Sequence, residues 1–418
     1  MAAYPDQVWI DGSVQHQVGS VAQVRPGTFY VDTTHDRLYV GTNPVARHVR
    51  ASTLQRALSV QVAGSVIRGI GIGRYAPSVP DVGAITLERA SITMENDFIT
   101  QISTAGVKVI ADNITLRGVT VTYCGLLGIG GNEAYDMTLR SVNSSHNNIE
   151  HFNTAPVSGG LKITRSRGIL IRDSTFSYNA GPGIWLDECT YDSKIIRNRV
   201  FDNAVHGIAL ENSAKSTVAD NRVLGNGRDG VKINNTNGVS VWNNSFAGNG
   251  RTVDMAQDKR VQTSRTPRDS RRPFPDPTMT WRLGHVTASN NVIARQNRSG
   301  TCMICVEDGT HTRTAAQFDI HVSGNVYQRL GDEPAWLVVW ANGPGNPKTY
   351  SNLRAFRSAT GQESTGRLFE TAGAVRADGT LSPSVSALRT SIGHPLPAVI
   401  AQLLGHPNGV VHLGAWTT

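Results

Sequence analysis

Cysteine, charge and long apolar runs are all scarce in this chain. There are four cysteines in 418 residues, too few to staple the fold. Cys302 and Cys305 form one C-x-x-C in TCMICVED, without the second pair or histidine partners of a zinc site. They read as buried or incidental thiols. Charged residues make up 17%, below the ~25% of an average soluble chain. No run of 18 apolar residues occurs, so the sequence predicts no membrane-spanning helix. The opening MAAYPDQVWIDG lacks the apolar core of a signal peptide. The expectation is a chain that is not secreted by that route, or one whose signal has been removed.

Glycine is plentiful, 42 of 418, and the 39% apolar content is ample for a core. The net charge of +8 admits an acidic polysaccharide, nucleic acid or another anionic surface as partner. Nucleic acid is disfavoured, because the basic residues crowd into one Pro-rich stretch without interleaved aromatics.

An internal repeat decides the fold class. GLKI at 160–163 is followed by GIWLD from Gly183, GIALE from Gly207 and GVKIN from Gly230, at steps of 23, 24 and 23 residues. Asn198, Asn221 and Asn244 keep the same period, as do Asn179, Asn203, Asn226 and Asn249. Within each period short runs alternate apolar and polar, which predicts strands with one buried face. Short strands recurring at a fixed period stack as coils of a parallel β-helix, and the handedness of parallel crossovers makes it right-handed. Asn at one turn position of successive coils would form an amide ladder. Val107, Ile129, Leu161, Ile184, Ile208 and Val231 form one inward column.

The predicted organisation is an N-terminal β segment over 1–50, with a hairpin at DTTHD, then the β-helix over 51–345. A long polar excursion at 251–280 interrupts it. A partly helical tail over 346–418 caps the C-terminal end, with helical spacing in 351–363 and 396–405.

Chemistry belongs on the outward columns. One holds Lys162, Trp185 and Lys232, and the next holds Asp187 and Glu211. Parallel strands lie ~4.8 Å apart, so Asp187 and Glu211 are expected as stacked neighbours. Paired carboxylates divide the acid and base roles of glycosidic-bond hydrolysis. Trp185 beside them offers a face to a sugar ring. The carboxylates could instead hold Ca²⁺; no other cofactor is implied. Glu150 and His151 in NNIEHF, His206 at a strand edge, and Gln257, Asp258 and Arg260 in AQDKR are further candidates for the groove wall or for substrate contact.

The GIWLD and GIALE strands with Asn turns between them resemble the right-handed parallel β-helix proteins of the pectate-lyase-like superfamily, over roughly 55–330. PGTFYVD, RLYVG, NNIEHF, GGLKI, GIWLDE, GIALENS and AQDKR resemble those among glycoside hydrolases. The resemblance implies a carbohydrate-active protein, with Asp187, Glu211, Glu150 and Lys162 as its catalytic positions. Three activities stay open: hydrolysis of a polysaccharide, elimination or epimerisation on a uronate polymer, and glycan binding without catalysis, as in a phage tail protein or adhesin. Each implies a glycan partner and a place outside the cell, on its surface, or on a phage particle.

Overall fold

The computed structural model describes residues 6–78, 82–263, 265–294, 300–331 and 333–416. Among these, three long sheets of 12, 10 and 11 strands run side by side. Successive coils add one strand to each. Ile184–Asp187, Tyr191–Ile196 and Arg199–Phe201 make one coil, and Ile208–Glu211, Ala214–Ala219 and Arg222–Leu224 the next. Neighbours pair in parallel, Ile184 opposite Ile208 and Leu186 opposite Leu210. The inward side chains, among them Leu161, Ile184, Leu186, Ile208 and Val231, have no exposed surface. They form one continuous core, each contributing roughly 1.5–3 kcal/mol by leaving water.

Both Asn registers are buried ladders. Asn147, Asn179, Asn203, Asn226 and Asn249 each donate from Nδ2 to Oδ1 of the next, at 2.8–3.0 Å. Asn198, Asn221, Asn244, Asn291 and Asn325 do the same, each at 3.0 Å. The second ladder ends on the tail, where Asn325 donates to the buried Glu363 carboxyl at 2.6 Å. The excursion lies between Val253–Gln257 of the first sheet and Gly284–Ser289 of the second, so it interrupts a coil without breaking the stack.

At the N-terminal end five short strands between Val8 and Ala51 form a separate sheet, with Thr28–Asp32 and Arg37–Val40 as the expected hairpin. At the other end the helix Leu353–Thr360 buries Phe356 against Trp340 and Tyr350. The rest of the tail does more than close that end. Ile400 and Leu404 of the helix Ala398–Leu404 pack on Ile196 and Trp242, outside the second sheet. Val375, Val385 and Leu413 pack on Val292 and Val326, outside the third. Apolar outward residues on these two sheets are what recruit the tail there.

The C-x-x-C differs from expectation: Cys302 and Cys305 form a disulfide. Strict alternation would put residues three apart on opposite faces. Met303 and Ile304 both enter the core, however, which breaks the alternation there. Cys302 and Cys305 are thereby left together on the outer side, beside Val339.

Where the tail meets the coils, Asp220 is buried and accepts a hydrogen bond from the Trp416 N–H at 2.7 Å. Burial pushes this carboxyl up to about 7, against ~3.9 in an unfolded chain. Between those values the fold holds a proton that the unfolded chain releases, so stability falls as pH rises through the window. Asp220→Asn keeps the acceptor and removes the charge. Its melting temperature should exceed that of wild type at pH 8, with the gap closing towards pH 4. A gap independent of pH would contradict this origin.

Candidate functional site

The first sheet presents its outward columns in register. Lys162 lies opposite Trp185, and Thr164 opposite Asp187. Trp185 lies opposite Ala209, with Leu186 and Leu210 next in register, which sets Asp187 and Glu211 on adjacent strands.

Three of these side chains interlock. Lys162 Nζ meets Asp187 Oδ2 at 2.8 Å, with both side chains buried. The same ammonium sits 3.2 Å from the centre of the Trp185 ring and donates to the Pro156 carbonyl at 2.8 Å. Trp185 is itself buried and donates from Nε1 to Glu211 Oε2 at 3.1 Å. With one face under Lys162, the indole orients Glu211 and does not offer that face to a sugar. Burial raises Asp187 above the usual carboxylate range; Lys162 opposes the shift and the Glu211 charge adds to it.

The excursion contributes the other wall. Arg260 reaches back to Glu211 Oε1 at 2.6 Å and to Asn234 Oδ1 at 2.6 Å. It also pairs with Asp258 at 2.6 Å. Burial opposes, but the Arg260 and Asn235 hydrogen bonds outweigh it and hold Asp258 at about 2. Gln257 serves the fold: its amide joins Asn235 at 2.9 Å, and its carbonyl accepts from the Leu283 N–H at 2.7 Å. It thus pins the two ends of the excursion together.

Beside Lys162 lies a depression of about 280 Å³ lined by Lys108, Asn132, Lys162, Thr164, Arg165 and Glu188, among others. Burial raises Glu188, and the Asp187 charge adds to the effect. Arg165 Nη2 stands 3.7 Å from Glu188. Arg165 and Glu188 are not among the candidates that the sequence suggests. A signal is present in LDE, because the residue after an outward Asp at a strand end turns along the rim.

Other sequence candidates lie elsewhere. His206 is at the opposite strand edge, with Nδ1 2.8 Å from Asp229. Lys232 is opposite Asp254, beyond the Asp187–Glu211 pair. Glu150 lies by the N-terminal sheet: burial raises its carboxyl, while His16 and His151 act the other way. His151 is exposed beside it. The donor set does not fit Ca²⁺, since cationic side chains already engage Asp187 and Glu211. Among the described residues no cluster of three or more His, Cys, Asp or Glu is arranged for a metal.

Residues 83–247 match the sequence family described as right handed beta helix region. The chain has a right-handed parallel β-helix fold. A solved structure described as the complex of XylC with xylose is similar at a TM-score of 0.55 and 12% identity, over 78% of this chain and 64% of that one. This chain therefore spans just under two thirds of XylC. The A-module of the Azotobacter vinelandii mannuronan C-5 epimerase AlgE6 is similar at 0.49 and 17%, over 65% and 70% of the two chains. Pectate lyase Pel9A is similar at 0.40 and 15%, over 76% and 78%. No curated protein sequence matches the chain. Among the described residues no helix is long and apolar enough to cross a membrane.

Lys162 is the counterweight to burial at Asp187. In Lys162→Ala the Asp187 carboxyl should titrate higher than in wild type, read by carbon NMR of labelled aspartate. An unchanged midpoint would mean that the ion pair does not govern this carboxyl.

Proposed function

We propose that the protein cleaves glycosidic bonds of a polysaccharide bound on the outward face of the first sheet. The observation that carries this reading is the pair formed by Asp187 and Glu211 on adjacent strands, in environments that suit different roles. Asp187 is buried and shifted towards its protonated form, as a general acid requires. Glu211 is largely buried and accepts hydrogen bonds on both oxygens, from Trp185 and Arg260, which aim it.

In the proposed reaction Asp187 protonates the leaving glycosidic oxygen while Glu211 attacks the anomeric carbon. Water then releases the glycosyl unit, with Asp187 acting as base. Lys162 and Trp185 are positioning residues. A sugar-bound relative of the same fold, XylC, supports a saccharide ligand. A polymeric substrate places the protein outside the cell, at its surface, or on a phage particle.

A uronate lyase or epimerase is the second reading, favoured by Lys108, Lys162 and Arg165 around the depression. Turnover on neutral and acidic polysaccharides separates the two. Wild type should release reducing ends without ultraviolet absorbance. Asp187→Asn and Glu211→Gln should each lose about 10²–10⁴-fold in kcat. Activity should also fall as pH rises past the Asp187 midpoint, where the acid loses its proton. Unsaturated, absorbing products that survive both substitutions would overturn hydrolysis in favour of elimination.

A further inference from the structure

The outward face does not end at Glu211. Past it, the edge position of His206 continues through Asp229, Arg251, Cys302 and Trp336. Arg251 binds three carboxylates from three successive coils: Asp229 through Nε at 2.8 Å, Asp254 through Nη2 at 3.0 Å and Glu307 through Nη1 at 3.0 Å. His206 meets the other oxygen of Asp229 at 2.8 Å. Asp254 is 1% exposed, and its Oδ1 has no hydrogen-bond partner among the described residues. Alongside is a second depression, of about 340 Å³, lined by Arg228, Asp229, Arg251 and Thr301 among others. Further along the same column the Trp336 ring is 41% exposed.

The two depressions differ in charge. The first sets Lys108, Lys162 and Arg165 against two carboxylates, Glu188 and the Asp187 paired with Lys162, and its remaining positive charge suits a sugar carboxylate. Beside the second, Asp229, Asp254 and Glu307 gather on Arg251, outnumber it and its neighbour Arg228, and would repel such a group. Carboxylates and a guanidinium together accept from and donate to neutral hydroxyls, and an open indole face suits the C–H side of a pyranose. Lys162 and Arg251 stand four coils apart, roughly 19 Å across the strands, and three residues, roughly 10 Å, apart along them.

We propose that the substrate is a heteropolysaccharide, with an acidic sugar over Lys108, Lys162 and Arg165 and an uncharged pyranose over Arg251, Glu307 and Trp336. This rests on the reading of the first-sheet face as a polysaccharide site.

The test is calorimetric binding in an Asp187→Asn background, so that no turnover is needed. The probes are xylohexaose, hexagalacturonate and a glucuronoxylan oligosaccharide that carries both sugar types. The mixed probe should bind at least tenfold more tightly than either homo-oligomer. Trp336→Ala should weaken xylohexaose and the mixed probe tenfold or more and spare hexagalacturonate. Arg165→Ala should do the reverse for the two homo-oligomers. Trp336→Tyr should restore most of the neutral binding, which separates a ring contact from a folding defect. Failure to bind xylohexaose, or equal weakening of every probe by both variants, would overturn the proposal. If wild type cleaves nothing but this binding pattern holds, the hydrolytic reading fails while the substrate class stands.

Discussion

The Asn ladder and the glycine column are one constraint seen twice. At Gly160, Gly183 and Gly207 an added Cβ would stand 2.8 Å from the Nδ2 of Asn179, Asn203 and Asn226 respectively. The ladder amide therefore occupies the space that any larger side chain would need. Each amide also donates to the next coil, which holds neighbouring coils at one height and one register. Register in turn decides which side chains face outward and which of them are neighbours, since a slip of one residue would turn every side chain to the other face. Asp187 beside Glu211 is a consequence of that lock. Past Asn249 the glycine column gives way to Thr252, Met303 and Leu337.

Much of the architecture is legible in the sequence because it is periodic. The steps between Gly183, Gly207 and Gly230 reveal the coil, and the apolar column through Ile184 and Ile208 reveals the core. Features outside the period cannot be read this way. Cys302 and Cys305 are bridged where Met303, in place of a glycine, and Ile304 both enter the core, and alternation conceals that. The tail lies along two sheets because Trp242 and Val326 are apolar on their outward side, a pattern easily mistaken for scattered surface residues.

The candidate site shows the same division. Adjacency of Asp187 and Glu211 follows from register and is legible. Partner choice depends on side-chain reach and on segments far away in sequence, and is not. Lys162 lies on Trp185, so the indole serves Glu211 and not a sugar face. Arg260 returns from the excursion to the same carboxylate. His206, although on the same sheet, is drawn to Asp229 at the other strand edge. The result is a face with two charge centres of different character, both built on a rigid parallel sheet.

The most direct test of the central claim is a crystal structure of the Asp187→Asn protein with a bound oligosaccharide. The expected complex has the glycosidic oxygen within hydrogen-bond reach of residue 187 and the adjoining anomeric carbon facing Glu211. A saccharide seated on another face of the helix, or on this face with no glycosidic bond near these two residues, would contradict it.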